Sequence, residues 1–309
     1  NKGVTGYLVK TEGSPPDAED VNWTADKPAG YSFPEQGDYT LYLWARDAAG
    51  NISTAASASV TYDCTAPVIS VFTCPTSTTA ATIGLTITAG DNKGVTGYLV
   101  KTEGSPPDAE DVNWTADKPA VYSFPEQGDY TLYLWARDAA GNISTAASAS
   151  VTYDCTAPVI SVFTCPSSTT AATIGLTITA GDNKGVTGYL IKTEGSTPDA
   201  EDVNWTADKP AGYSFPEQGD YTLYLWARDA AGNISTAASA SVTYDCTAPV
   251  ISVFTCPTST TAATIGLTIT AGDNKGVTGY LIKTEGSTPD AEDVNWTADK
   301  PAVYSFPEQ

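Results

Sequence analysis

The chain is 309 residues long and carries 15 basic against 36 acidic side chains, a net charge of −21. That balance excludes a nucleic-acid partner, whose binders cluster Lys and Arg, and suits a self-repelling surface or one that attracts cations. Histidine and methionine are absent, which removes the usual general base and the commonest metal ligand, so no enzyme is expected.

The string NKGVTGYL opens at Asn1, Asn92, Asn183 and Asn274, a period of 91 residues, and almost everything between recurs. Only four columns vary: Val9/Val100/Ile191/Ile282, Pro15/Pro106/Thr197/Thr288, Gly30/Val121/Gly212/Val303 and Thr76/Ser167/Thr258. A period this long is a whole small domain rather than a solenoid unit that needs its neighbours to bury a core. The expected division is a partial domain at 1–63, complete domains at 64–154 and 155–245, and a partial domain at 246–309. With ends that fall inside a domain, the expectation is a segment of a longer protein.

No apolar run recurs at helical spacing, while alternating stretches bounded by Gly, Pro, Asn and Asp follow one another, so the class is all-β. In the repeat from Cys64 the first strand is Val68–Thr73, introduced by Pro67. The second is Ile83–Ala89, where Ile83, Leu85, Ile87 and Ala89 share a face. A turn at Gly90–Gly94 leads to a strand at Val95–Thr102, followed by an irregular stretch holding Pro106, Pro107 and Trp114. Asp129–Arg137 is the clearest strand, with Tyr130, Leu132, Leu134 and Ala136 on one face and Thr131, Tyr133, Trp135 and Arg137 on the other. The turn DAAGN, Asp138–Asn142, precedes a last strand at Ala147–Tyr153. About seven short strands in one period give an immunoglobulin-like sandwich, and the Gly128-Asp129-Tyr130 entry resembles a tyrosine corner.

The segments TAPVISVFT, DNKGVTGYL and YTLYLWARDAAGNIS resemble the tandem bacterial immunoglobulin-like repeats of large secreted or surface-attached proteins. The resemblance covers the entire chain and implies extended arrays in extracellular stalks, adhesins and fibres; it implies no activity, because this fold hosts many functions. One departure is the pair Cys64 and Cys74, where such repeats more often have Thr and an aliphatic residue.

The six cysteines fall two per period at a spacing that matches no zinc or iron–sulfur pattern, which points to disulfides in an oxidising, extracellular setting. With Pro67–Thr73 extended, Cys64 and Cys74 stand roughly 30 Å apart, far beyond the ~7 Å that a disulfide spans between Cα atoms. First and last strands of such a sandwich lie side by side, so the expected bonds are Cys74–Cys155 and Cys165–Cys246. Each would close a loop of about 80 residues and stabilise by about 4–5 kcal/mol. Cys64 and Cys256 would look for partners outside the chain.

The turns that carry Asp91, Asn92, Asp138 and Asn142 are expected to converge on Asp63 at the joint between two domains, with a copy at Asp154, Asp182, Asn183, Asp229 and Asn233. Such oxygen-rich clusters suit Ca²⁺, and related surface repeats use calcium to stiffen their joints. The alternative is that Asp and Asn are simply good turn residues, bonding their own backbone.

Tyr133 and Trp135, with their copies Tyr224 and Trp226, form a stripe pointing away from the expected core. It could stack on a glycan or dock a neighbouring strand of a fibre, or it could be covered by its own domain's irregular section, with Trp114 folded over it. The sequons Asn22-Trp23-Thr24 and Asn51-Ile52-Ser53 recur and are acceptors only in a glycosylating secretory path. The sequence therefore reads as a non-enzymatic extracellular fibre or stalk that self-associates into filaments or bundles. A carbohydrate- or surface-binding adhesin module using the Tyr/Trp stripe is the rival.

Overall fold

A computed structural model describes residues 3–307. The chain divides into two compact units, Asn1–Cys155 and Thr156–Gln309. In the first unit an opening piece forms one antiparallel sheet of β1 (Val4–Lys10), β2 (Gly37–Asp47) and β3 (Ala56–Tyr62), in the order β1-β2-β3.

A complete repeat follows, with eight strands: β4 (Val68–Thr73), β5 (Ser77–Thr78), β6 (Thr82–Gly84), β7 (Thr86–Gly90), β8 (Gly97–Lys101), β9 (Val121–Ser123), β10 (Gly128–Arg137) and β11 (Ala147–Tyr153). One layer is the sheet β5-β11-β10-β8, and the other consists of the ladders β4-β7 and β6-β9. Between them lie Phe72, Ile83, Ile87, Phe124, Leu132, Leu134 and Val151. Alternation along each strand puts these large apolar groups on the inner faces, and their removal from water holds the layers together. The second unit repeats the series from Val159–Thr164 to Ala238–Tyr244 around Phe163, Ile174, Ile178, Phe215, Leu223, Leu225 and Val242. Tandem immunoglobulin-like sandwiches are thus the architecture.

The strands at 68–73, 128–137 and 147–153 stand where alternation placed them. The stretch Ile83–Ala89 does not run as one strand: Leu85 donates its N–H to Ala120 O at 2.9 Å, and at that residue the chain changes partner, from β9 to β4. The tyrosine corner is present, with Tyr130 Oη donating to Glu126 O at 2.7 Å and Tyr221 to Glu217 O at 2.6 Å.

The expected disulfides Cys74–Cys155 and Cys165–Cys246 are absent, and all six cysteines are free thiols. Last strand and first segment do run parallel, but the register is fixed by Thr152 opposite Ser77 and Tyr153 opposite Thr78. Cys74 Sγ consequently faces Ser150 O at 4.0 Å, and Cys165 Sγ faces Ser241 O at 3.9 Å. Five residues of extended chain, roughly 16 Å, separate Ser150 from Cys155, more than a disulfide spans.

The expected contact stripe is likewise no surface: Trp135 and Trp226 are each 1% exposed, and Tyr133 and Tyr224 are half-buried. The irregular section between β8 and β9 lies over Tyr133 and Trp135, held by a main-chain bridge between Tyr98 and Thr115 and by Lys101 Nζ to Asp111 Oδ2 at 2.9 Å. Arg137 donates to Ala109 O from one side of its guanidinium and lies 5.0 Å from the centre of the Trp114 ring, a favourable cation–π distance. Gly104 allows the close approach, since a Cβ there would stand 3.0 Å from the Tyr133 ring. The opposite outer face, on β4, β7, β6 and β9, has no such cover: Val68, Val71, Thr73, Thr82, Thr86, Thr88, Val121 and Ser123 are all exposed.

Candidate metal centre

The sequence between β3 and β4 puts Asp63 at the end of one domain and Pro67 at the start of the next. Gln36 holds this linker: its Oε1 accepts from Cys64 N at 3.3 Å and from Thr65 Oγ1 at 3.0 Å. Across the joint Lys93 Nζ reaches Asp38 Oδ2 at 2.7 Å, a contact the sequence reading missed because nothing in a local pattern pairs those two positions.

Two turns of the complete repeat close on Asp63. In the first, Asp91 Oδ2 accepts from Lys93 N at 2.8 Å, and Asn92 Nδ2 donates to Asp63 Oδ1 at 3.1 Å. The second is the DAAGN turn, possible because Gly141 adopts φ +95, a value that costs glycine little. There Asp138 Oδ1 accepts from Asn142 N at 2.9 Å, and Asn142 Nδ2 donates to Asp138 Oδ2 at 2.7 Å and to Asp63 O at 3.1 Å.

The outcome is a cluster of three carboxylates, Asp63, Asp91 and Asp138, with oxygens within 4.8 Å of one another. Asp63 is 8% exposed and Asp138 2%. Asp63 Oδ2 and Asp91 Oδ1 are buried and accept no hydrogen bond. Donation from Asn92, then from Thr65 N–H, with a smaller contribution from the Lys93 charge, holds the Asp63 carboxyl below its ordinary range despite burial. Carboxylates crowded together and short of hydrogen-bond donors are the kind of oxygen set that hard, oxygen-seeking cations take as ligands.

Asn92 and Asn142, expected among the ligands, point their NH₂ groups at the carboxylates. As donors they orient the cluster. The Asp residues bond their own turns, as turn chemistry requires, and the turns meet.

The expected second set divides between the units, Asp154 in the first and Asp182, Asn183, Asp229 and Asn233 in the second. Its turns have the same local form: Asp182 Oδ2 accepts from Lys184 N at 2.7 Å, and Asp229 accepts from Asn233 N at 2.9 Å and Asn233 Nδ2 at 2.7 Å. Inside the second unit the linker arrangement recurs at the next joint, where Asn274 Nδ2 donates to Asp245 Oδ1 at 2.9 Å and Lys275 Nζ reaches Asp220 Oδ2 at 2.6 Å.

No family model matches the chain. A curated relative, Chitinase A1 of Niallia circulans, is 33% identical over 188 residues, which is 58% of this chain and 26% of that protein; the matched region is thus about a quarter of the relative's length. Among solved structures, the fibronectin(III)-like modules of Clostridium thermocellum CbhA are similar at 16% identity and TM-score 0.36, covering 58% of this chain and 93% of theirs. Sidekick-1 immunoglobulin domains 1–5 are similar at 12% identity and TM-score 0.31, covering 88% and 60%. Drosophila N-cadherin EC1-4 is similar at 14% and TM-score 0.22, covering 82% and 71%. These likenesses are slight, and the fold rests on the ladders and cores described above. Among the described residues no helix is long and apolar enough to cross a membrane. By its ladders, cores and tyrosine corners, the chain is a tandem array of immunoglobulin-like β-sandwich domains.

Proposed function

We propose that the chain is a non-catalytic structural array, part of an extracellular fibre or stalk, whose joints are set by bound Ca²⁺. The observation that carries the reading is the Asp63–Asp91–Asp138 cluster, built from the linker of one domain and two turns of the next. A cation held there ties three separate chain segments to one point and makes bending at the joint costly. Ca²⁺ fits better than Mg²⁺, because it takes six to eight oxygens in a flexible shell while Mg²⁺ demands a near-ideal octahedron. Asp63, Asp91 and Asp138 supply the carboxylate oxygens, with solvent completing the shell.

Near-identity of the repeats supports the same reading. Neighbours this similar are prone to misassemble with one another, so uniformity must serve something, and a regular array with the same joint at each step is such a use. Burial of Trp135 and Trp226 takes away the aromatic site on which an adhesin reading depended. The test of the extracellular setting is antibody labelling of the source cells with and without permeabilisation. Labelling of intact cells along surface structures is expected; signal that needs permeabilisation would refute the proposal.

A further inference from the structure

Each complete repeat has two outer sheet faces, and they differ in kind. One lies under the 102–118 section. The other, over β4, β7, β6 and β9, presents Val68, Ser70, Val71, Thr73, Thr82, Gly84, Thr86, Thr88, Gly90, Val121 and Ser123, all exposed and none charged. Charges flank the face at its margins: Lys118 Nζ donates to Ile87 O at 3.1 Å, and Asp91 follows Gly90 at the end of β7. The second unit presents the same face, with Val159, Val162, Thr164, Thr173, Thr177, Thr179 and Ser214 exposed. In a chain of net charge −21, an uncharged sheet face of short β-branched side chains is an exception repeated once per period.

We propose that this face docks against the same face of a second copy of the chain. The proposal rests on the structural-array reading above and names its lateral partner. Charge favours this occupant: two copies that meet over a face carrying carboxylates bring like charges together, which an interface strongly disfavours, whereas this face carries none. The hydroxyls agree. Ser70 Oγ donates to Thr88 O at 3.3 Å, and Thr82 and Ser123 share a bond at 2.9 Å, so these groups are already hydrogen-bonded when water is excluded. Flat faces of Val and Thr methyls then pack as two sheets do, about 10 Å apart. Three strand rows of about five residues give on the order of 250 Å² per repeat, against about 800 Å² per partner in a stable interface. One repeat is therefore too small to hold a partner, and association must engage several repeats at once.

Sedimentation velocity of the whole chain tests this, comparing wild type with a variant carrying Val71→Glu, Thr88→Glu, Val162→Glu and Thr179→Glu. The control carries Val21→Glu, Val112→Glu, Val203→Glu and Val294→Glu, at loop positions 93% to 94% exposed, and gains the same charge. Wild type is expected to associate as concentration rises, more strongly at higher salt as carboxylate repulsion is screened. The face variant should dissociate at least ~100-fold more readily, and the control within ~3-fold of wild type. Should the face variant fail to fold, Ser123→Glu with Ser214→Glu, on β9 and its copy, is the substitute. A wild type that stays monomeric at all salt concentrations overturns the proposal, as does a face variant that associates as well as the control. Retention of a monomeric wild type on ice or on an insoluble polysaccharide would reassign the face. Calcium titration of the same variants, whose cluster is untouched, scores the joint separately.

Discussion

Asn142 donates from Nδ2 to the main-chain oxygen of Asp63, 79 residues earlier, at 3.1 Å. This bond crosses the joint: its donor belongs to the last turn of one domain and its acceptor to the linker that precedes that domain. The same amide holds Asp138 Oδ2 at 2.7 Å, so one side chain fixes the linker and a carboxylate of the cluster together. Asn142→Ala should cost about 1–3 kcal/mol, the penalty for leaving buried acceptors without their donor. It should also weaken Ca²⁺ binding without removing a ligand. Calorimetric melting in chelator and in Ca²⁺ separates the two effects.

The covering of the aromatic stripe has its own consequence. Trp135→Ala opens a cavity at a fully buried position and should destabilise its domain by about 3–5 kcal/mol, read from denaturant unfolding. A docking residue would instead have tolerated the change with stability intact. Gly104→Val, which drives a side chain into the Tyr133 ring, should loosen the covering section and raise Trp135 fluorescence quenching by added acrylamide.

Free thiols can be counted directly. Cys64, Cys155, Cys246 and Cys256 are exposed, while Cys74 and Cys165 are half-buried and their thiols are pushed up by desolvation. Ellman's reagent should therefore react with four thiols quickly and two slowly at neutral pH, since the thiolate is the reacting form. A uniform fast reaction of all six would contradict the packing of Cys74 against Ser150.

Acid should loosen the covering section. Asp111 is lowered from the ordinary 3.8 to about 2, by the N–H of Asn113 first and by Lys101 next, and Asp202 falls likewise to about 2, there with Lys192 as the leading cause. A carboxyl whose folded pKa is depressed stabilises the fold above its unfolded value and loses that contribution as pH falls through the folded one. The melting temperature should thus decline between pH 4 and pH 2. Asp111→Asn with Asp202→Asn should flatten that decline, while an unchanged slope would assign it to other carboxylates.

Much of this was legible in the sequence, for reasons that differ by residue. Leu132, Leu134 and Val151 announce their strands because a half-buried strand alternates with period two. The cluster was legible because Asp91 and Asp138 sit in turns whose composition is their signature, and the repeat places Asp63 beside both. What escaped was whatever depends on a register or on coil. Cys74 was placed five residues from its true neighbour because the offset between first and last strands is set by hydrogen bonds at Ser77 and Thr78, not by side-chain pattern. The break at Leu85 is a change of partner that alternation does not signal. Trp135 is covered by a section with no periodicity at all, in which Gly104 and Trp114 act through contacts with Tyr133 and Arg137, distant in sequence. The uncharged face was in plain view in TIGLTIT, where every second residue is Thr or Gly, yet its exposure became visible only with the layers assembled.

Isothermal titration of Ca²⁺ into the whole chain, beside Asp91→Asn and Asp138→Asn variants, tests the central claim most directly. Saturable binding is expected in wild type, with fewer sites in each variant, a melting temperature that rises with Ca²⁺ as a ligand specific to the folded state requires, and a much weaker response to Mg²⁺. No heat of binding at millimolar Ca²⁺, together with a melting temperature unmoved by chelator, would contradict it and leave the three carboxylates as turn residues that happen to meet.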